Sequence, residues 1–131
     1  MLLLDASVWV AAGVPAHSGH AASAAVLRSG QRVGVLDLTL YEVANTVGLQ
    51  YRDPAQAAKL CALICRLCVD QPARVDARLI EMALEEVAKH GLSAYDAAYV
   101  AAARRTGWQL VSLDIRDLVS KGLAVTPDAA V

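Results

Sequence analysis

The chain contains no phenylalanine, and its only large aromatics are four tyrosines and two tryptophans. A base-stacking platform of the usual kind is therefore not evident. Charge of one sign is also missing: 12 Lys and Arg stand against 13 Asp and Glu, for a net charge of −1. No global positive field draws in nucleic acid, so any basic attraction must be local. No stretch of about 18 residues or more lacks charge and punctuation, which excludes a membrane span. The longest helical apolar block, 60–69, still contains Arg66. No basic segment precedes the first apolar run and no small-residue cleavage site follows it, which argues against a signal peptide. Three cysteines, an odd number, do not make a disulfide framework and fit a reducing cytoplasm. There is no internal repeat, low-complexity segment or linker.

What is present is a strongly apolar chain. It has 131 residues, 56% of them hydrophobic. That predicts one globular domain over 1–131, with enough length to bury a core. The apolar load is high for so small a surface, and part of it is expected to lie between subunits.

Apolar runs and helix signals alternate along the chain. Leu2–Leu4 reads as a short buried strand, and Ser7 to Ala12 as a helical turn. Ser18 to Ser29 reads as a helix capped by Ser18 and ended by Gly30. Residues 33–38 form a second strand. Thr39 caps a helix to about Arg52, and Asp53-Pro54 starts another that runs to about Val69. Arg74-Val75 reads as a very short strand. Asp76 caps a helix to His90, with Gly91 as terminator, and Ser93 caps the next, ended by Gly107. Residues 110–113 are a strand, 115–120 a short helix and 123–125 a last strand. The order predicts an α/β fold: a three-layer α/β/α sandwich around a mostly parallel sheet of four to five strands.

Four acids, Asp5, Glu42, Asp96 and Asp114, each stand where a strand or turn hands over to a helix. The carboxyl ends of parallel strands share one edge, where ligands bind in open α/β sheets. Carboxylates gathered there repel one another unless a cation sits among them. Hard oxygen ligation suits Mg²⁺ or Mn²⁺, which activate water against phosphodiesters. Each acid also has an ordinary explanation. Thr39 to Glu42 and Ser93 to Asp96 have capping-box spacing, while Asp5 and Asp114 suit the start of the next helix. Capping accounts for each acid singly but not for the gathering of all four. Ser7 and Ser112 stand two residues from Asp5 and Asp114, within reach of those carboxylates.

At these residues the chain resembles the PIN-domain ribonucleases of the VapC-like toxin kind, from Leu2 to about Val125. Leu4-Asp5-Ala6-Ser7 resembles the family's opening strand and first acid. Residues 92–99, Leu-Ser-Ala-Tyr-Asp-Ala-Ala-Tyr, resemble its most distinctive segment. Residues 110–114, Leu-Val-Ser-Leu-Asp, resemble its closing motif, with Ser112 where Thr is common. Leu40-Tyr41-Glu42-Val43 is the weakest match. The resemblance implies a PIN-like fold and a Mg²⁺- or Mn²⁺-dependent endoribonuclease acting on RNA. It also implies a homodimer neutralised by a small antitoxin. Carried over, Asp5, Glu42, Asp96 and Asp114 are the catalytic acids, with Asp5, Asp96 and Asp114 in the metal shell. Ser7 and Ser112 are supporting groups, and Asp117, one helical turn beyond Asp114, is a secondary candidate.

Arg116 and Lys121, just after Asp114, are the basic residues best placed to meet a phosphate backbone. Arg104 and Arg105 lie at the far end of their helix and suit its C-terminal dipole. Cys61, Cys65 and Cys68 share a helix face but have no nearby His, so packing outweighs zinc. The helix from 54 to 69 is apolar on more faces than one stripe requires, which predicts an interaction surface shared with the helix from 39 to 52. Two other readings compete with the toxin: a non-catalytic interaction module of the same fold, and a nuclease of RNA maturation or DNA flap processing.

Overall fold

The computed structural model describes residues 1–68 and 72–131. Strand β1 is Leu2–Leu4, β2 is Val33–Leu36, β3 is Pro72–Ala73 and β4 is Gln109–Val111. They lie in the order β3-β2-β1-β4, and every pairing is parallel. Among the described residues, seven α-helices accompany them: α1 Ala6–Gly13, α2 His20–Arg28, α3 Leu38–Val43, α4 Pro54–Leu67, α5 Ala77–His90, α6 Ala94–Thr106 and α7 Pro127–Ala130. Two π-helical segments, Ala44–Gln50 and Ile115–Val119, complete the winding.

The strands are apolar on both faces because both are covered. Successive side chains of a strand point to opposite sides. Leu2, Leu4, Val33, Val35 and Val111 join one core, with Trp9 of α1, Val26 of α2, Val43 of α3 and Leu60 and Ile64 of α4. Leu3, Leu36 and Leu110 join a second core with Leu79 and Ala83 of α5 and residues 97–102 of α6. Two cores on opposite faces of one parallel sheet make this an α/β fold. Among the described residues, no helix is long and apolar enough to cross a membrane.

Local capping chemistry explains most boundaries. Asp53 and Asp76 accept hydrogen bonds from Gln56 N–H and Leu79 N–H, and Pro54 occupies the first turn of α4. Gly91 and Gly107 end α5 and α6 at φ +65° and +72°, where a side chain would strain the backbone.

Several boundaries differ from the sequence expectation. Gly19, not Ser18, precedes α2, and it makes no side-chain cap. Thr39 is not a cap either. It lies buried inside α3, with its hydroxyl 2.8 Å from that of Tyr99. The expected helix to Arg52 changes winding after Val43. Strand β2 stops at Leu36 because Asp37 already takes helical backbone angles at the start of α3. The short strand falls at Pro72–Ala73 rather than at Arg74-Val75. The expected strand at 123–125 is reduced to one parallel bridge, Val125 to Val111, and α7 follows it unforeseen. The expected end of α4 near Val69 lies outside the described residues.

Candidate functional site

The parallel sheet brings its acids to one edge. Asp5 follows β1 and caps α1, accepting from Val8 N–H at 3.2 Å. Asp114 follows β4 and caps the second π-helical segment, accepting from Asp117 N–H at 2.9 Å. Asp96 sits in the first turn of α6, its own N–H donating to the Ser93 hydroxyl at 3.1 Å. Glu42 projects from α3. Capping and clustering coexist, because the cap orients the carboxylate.

Three of these carboxylates form the tightest group. One oxygen each from Asp96, Asp114 and Asp117 lies within 4.8 Å of the other two, and all three residues are half-buried. Asp117, the secondary candidate, is thus a full member of this triad, whereas Asp5 and Glu42 are not. The turn of helix between Asp114 and Asp117 was the signal, and only folding could say which way it faced.

Asp5 and Glu42 lie deeper and are linked to the triad by charge. Asp5 is 5% exposed. Burial raises its pKa, and the nearby Asp96 charge adds to this, while hydrogen bonds from Ser112, Ser7 and Val8 N–H pull the other way. Glu42 is raised by burial and by the charges of Asp5 and Asp96, opposed by the Tyr99 hydroxyl. One Glu42 oxygen, Oε1, is buried with no hydrogen-bond partner. Burial and then the Asp114 charge raise Asp96, with Ser93 and Lys121 opposing.

The expected hydroxyls are both in place. Ser7 donates to Asp5 and accepts from Leu113 N–H at 3.0 Å, joining β1's end to the chain after β4. Ser112 is fully buried and accepts from Asp114 N–H at 2.9 Å. It therefore touches both Asp5 and Asp114. Tyr99 places a further buried hydroxyl, beside Glu42; in the sequence it stands out only as the end of the 92–99 segment, because it reads as a core position of α6.

The basic candidates are engaged. Arg116 grips Asp117 with a two-pronged contact of 3.2 and 3.0 Å, which holds that carboxyl below its usual value. Lys121 donates to His90 O at 2.9 Å. Arg104 pairs with Glu86 and Arg105 with Asp76, so both serve the α5–α6 packing. Cys61 and Cys68 pack as thiols, whereas Cys65 is exposed. Cys68 is buried, its pKa pushed up to about 11, and Cys61 donates to Leu40 O.

The donor set fits a hard divalent cation. It is all carboxylate oxygen, the three nearest groups can meet one ion, and the charge of Asp96 is opposed by burial and by Asp114.

Residues 2–120 match the PIN domain family. The chain belongs to that family. Within the PIN family it is 38% identical to Ribonuclease VapC3 of Pyrobaculum aerophilum, over 96% of this chain and 98% of that protein. It is similar in fold to Mycobacterium tuberculosis VapC20, described as a toxin cleaving the sarcin–ricin loop. That match has TM-score 0.81 and 21% identity, over 93% of this chain and 95% of the other. A toxin–antitoxin complex from Klebsiella pneumoniae aligns with TM-score 0.74 and 16% identity, over 97% and 98%. These two structural likenesses speak for the PIN fold alone.

Proposed function

We propose that this chain is a metal-dependent endoribonuclease, the toxin of a toxin–antitoxin pair, working as a single nuclease unit over 1–131. The carboxylate cluster at the carboxyl edge of a PIN-family sheet carries the reading, and the VapC3 relative supports it. Asp96, Asp114 and Asp117 would hold Mg²⁺ or Mn²⁺, with Asp5 behind them. A divalent ion held there supplies Lewis acidity toward water and phosphate.

The chain's own residues do the rest. Ser7 and Ser112 hold Asp5 and the backbone before Asp114 in register. Glu42, with its raised pKa and unpaired Oε1, is the group to take the proton of the attacking water. Lys121 and Arg116 meet the RNA backbone, Arg116 by leaving Asp117. Exposed apolar residues on α3–α4 and on α5–α6 supply surfaces for an antitoxin and for a second copy. The place of action is the cytoplasm, where three unpaired thiols stay reduced.

Asp96→Asn removes charge and little volume. It is expected to abolish Mn²⁺-dependent cleavage of single-stranded or loop RNA while leaving the circular dichroism spectrum intact. A purified variant that cuts as fast as the unsubstituted chain, with contaminating nuclease excluded, would sink the reading.

A further inference from the structure

A second cavity, of about 420 Å³, adjoins the acidic edge and shares Glu42 with it. Its size lies within the roughly 300–1,000 Å³ of small-molecule sites. Tyr41 and Tyr95 line it, and they are 81% and 61% exposed, so neither serves the core. Each directly precedes an acid of the site, Glu42 or Asp96. The remaining polar lining is uncharged: Asn45, Thr46 and Gln50.

The π-helical winding assembles that lining. In an α-helix a residue five positions on is rotated by about 140° from the first. Here Tyr51 N–H bonds to Thr46 O, five residues back, at 3.0 Å. The wider turn rotates each residue less than an α-helix does, which brings Gln50 back toward the side of Asn45. Both amides then line one cavity with the tyrosines.

We infer that this cavity is a subsite for one unpaired base of the RNA, next to the phosphodiester that is cut. The inference rests on the ribonuclease reading proposed above. An unpaired base offers a π-face for stacking and an edge of donors and acceptors, and proteins read it with aromatics and amides. The cavity has both and no basic side chain, so it suits a base rather than a phosphate. A protein partner has a better seat in the groove between α5 and α6, whose lining is apolar apart from Tyr95. The aromatics that the sequence scatters over 54 positions, from 41 to 95, are brought to one cavity by the fold.

The test is binding of short homopolymeric oligoribonucleotides, one for each base, to the Asp96→Asn chain, followed by fluorescence anisotropy in Mg²⁺. Tyr41→Ala and Tyr95→Ala in that background are expected to weaken binding about 5- to 150-fold, the range of one base–aromatic stack. Tyr41→Phe keeps the ring face and is expected to restore it. Oligomers carrying abasic sugars are expected to bind the parent as weakly as the Tyr→Ala variants bind normal RNA. Tyrosine variants that bind like the parent, or a parent indifferent to abasic RNA, would overturn the subsite. So would unchanged RNA affinity with a fall in molar mass by light scattering, which would assign the surface to a second copy. Cleavage by the unsubstituted chain is scored separately. RNA held at the cavity but never cut removes the nuclease reading and leaves the subsite. RNA cut regardless of the tyrosines removes only the subsite.

Discussion

Asp5 caps α1 through Val8 N–H and at the same time stands buried beside other carboxylates, so its charge is opposed by burial and satisfied by three donors. Its raised pKa has a definite consequence for stability. Between the ordinary value of 3.8 and the raised one, the native state keeps a proton that the unfolded chain has lost. Stability therefore falls as pH rises through that window. Glu42 and Asp96 act in the same sense. Asp117 and Asp76, held low by Arg116 and by Leu79 N–H with Arg105, act in the opposite sense and lose their contribution as pH falls. Asp5→Asn isolates one group, because Asn caps a helix about as well as Asp. The metal-free variant is expected to melt at or above the unsubstituted chain, by a margin that widens as pH rises through the window. Mn²⁺ is expected to raise the melting temperature of the unsubstituted chain by binding its native state, and to do so less for the variant. A pH-independent loss of melting temperature in Asp5→Asn would mean that its contacts outweigh the cost of its burial.

Among the elements, boundaries follow local signals where the partner of the cap is itself local. Asp53-Pro54, Asp76, Ser93, Gly91 and Gly107 all set the boundaries expected of them. Thr39 misled because a hydroxyl three residues before an acid looks like a capping box, whereas its partner is Tyr99, sixty positions away. Strand β2 shows a dependence of the same long-range kind. Gly34 lies opposite Leu3, and a Cβ there would fall 2.2 Å from the Trp108 ring. The partly buried indole would have to shift from its packing against the second core. Gly34→Ala is expected to cost about 1–3 kcal/mol, as overpacking does, read as a lower urea midpoint with unchanged slope.

Over the whole molecule, six of the exposed large apolar side chains fall into two groups. Leu49, Tyr51 and Leu67 lie on the α3–α4 side, and Ile80, Leu84 and Tyr95 on the α5–α6 side. The second group includes a groove of about 190 Å³ with Ile80 and Leu84 on its rim. A symmetric pair needs a surface that complements itself, and a ridge beside a socket does so. Leu84→Glu is therefore expected to lower the molar mass seen by light scattering. Leu67→Glu is expected to leave that mass unchanged and to weaken binding of the proposed antitoxin. Leu63, by contrast, packs against the first core, so a charge there would confuse folding with assembly. A monomer unaffected by either change would count against both assemblies.

The α/β class, most helix starts and stops, and the shared edge of Asp5, Glu42, Asp96 and Asp114 are legible in the residue order alone. Each of these follows from hydrophobic period, capping chemistry and parallel topology, which act over a few residues or by element order. Folding in three dimensions was needed to set Asp117 in the triad with Asp96 and Asp114, to bring Arg116 onto it and to stand Tyr99 beside Glu42. It alone turned Tyr41 and Tyr95 toward one cavity and let α3 pass into a wider helix. The reason is physical. The direction of a side chain on a helix depends on the phase of that helix against its neighbours, and that phase is set by long-range packing rather than by adjacent residues.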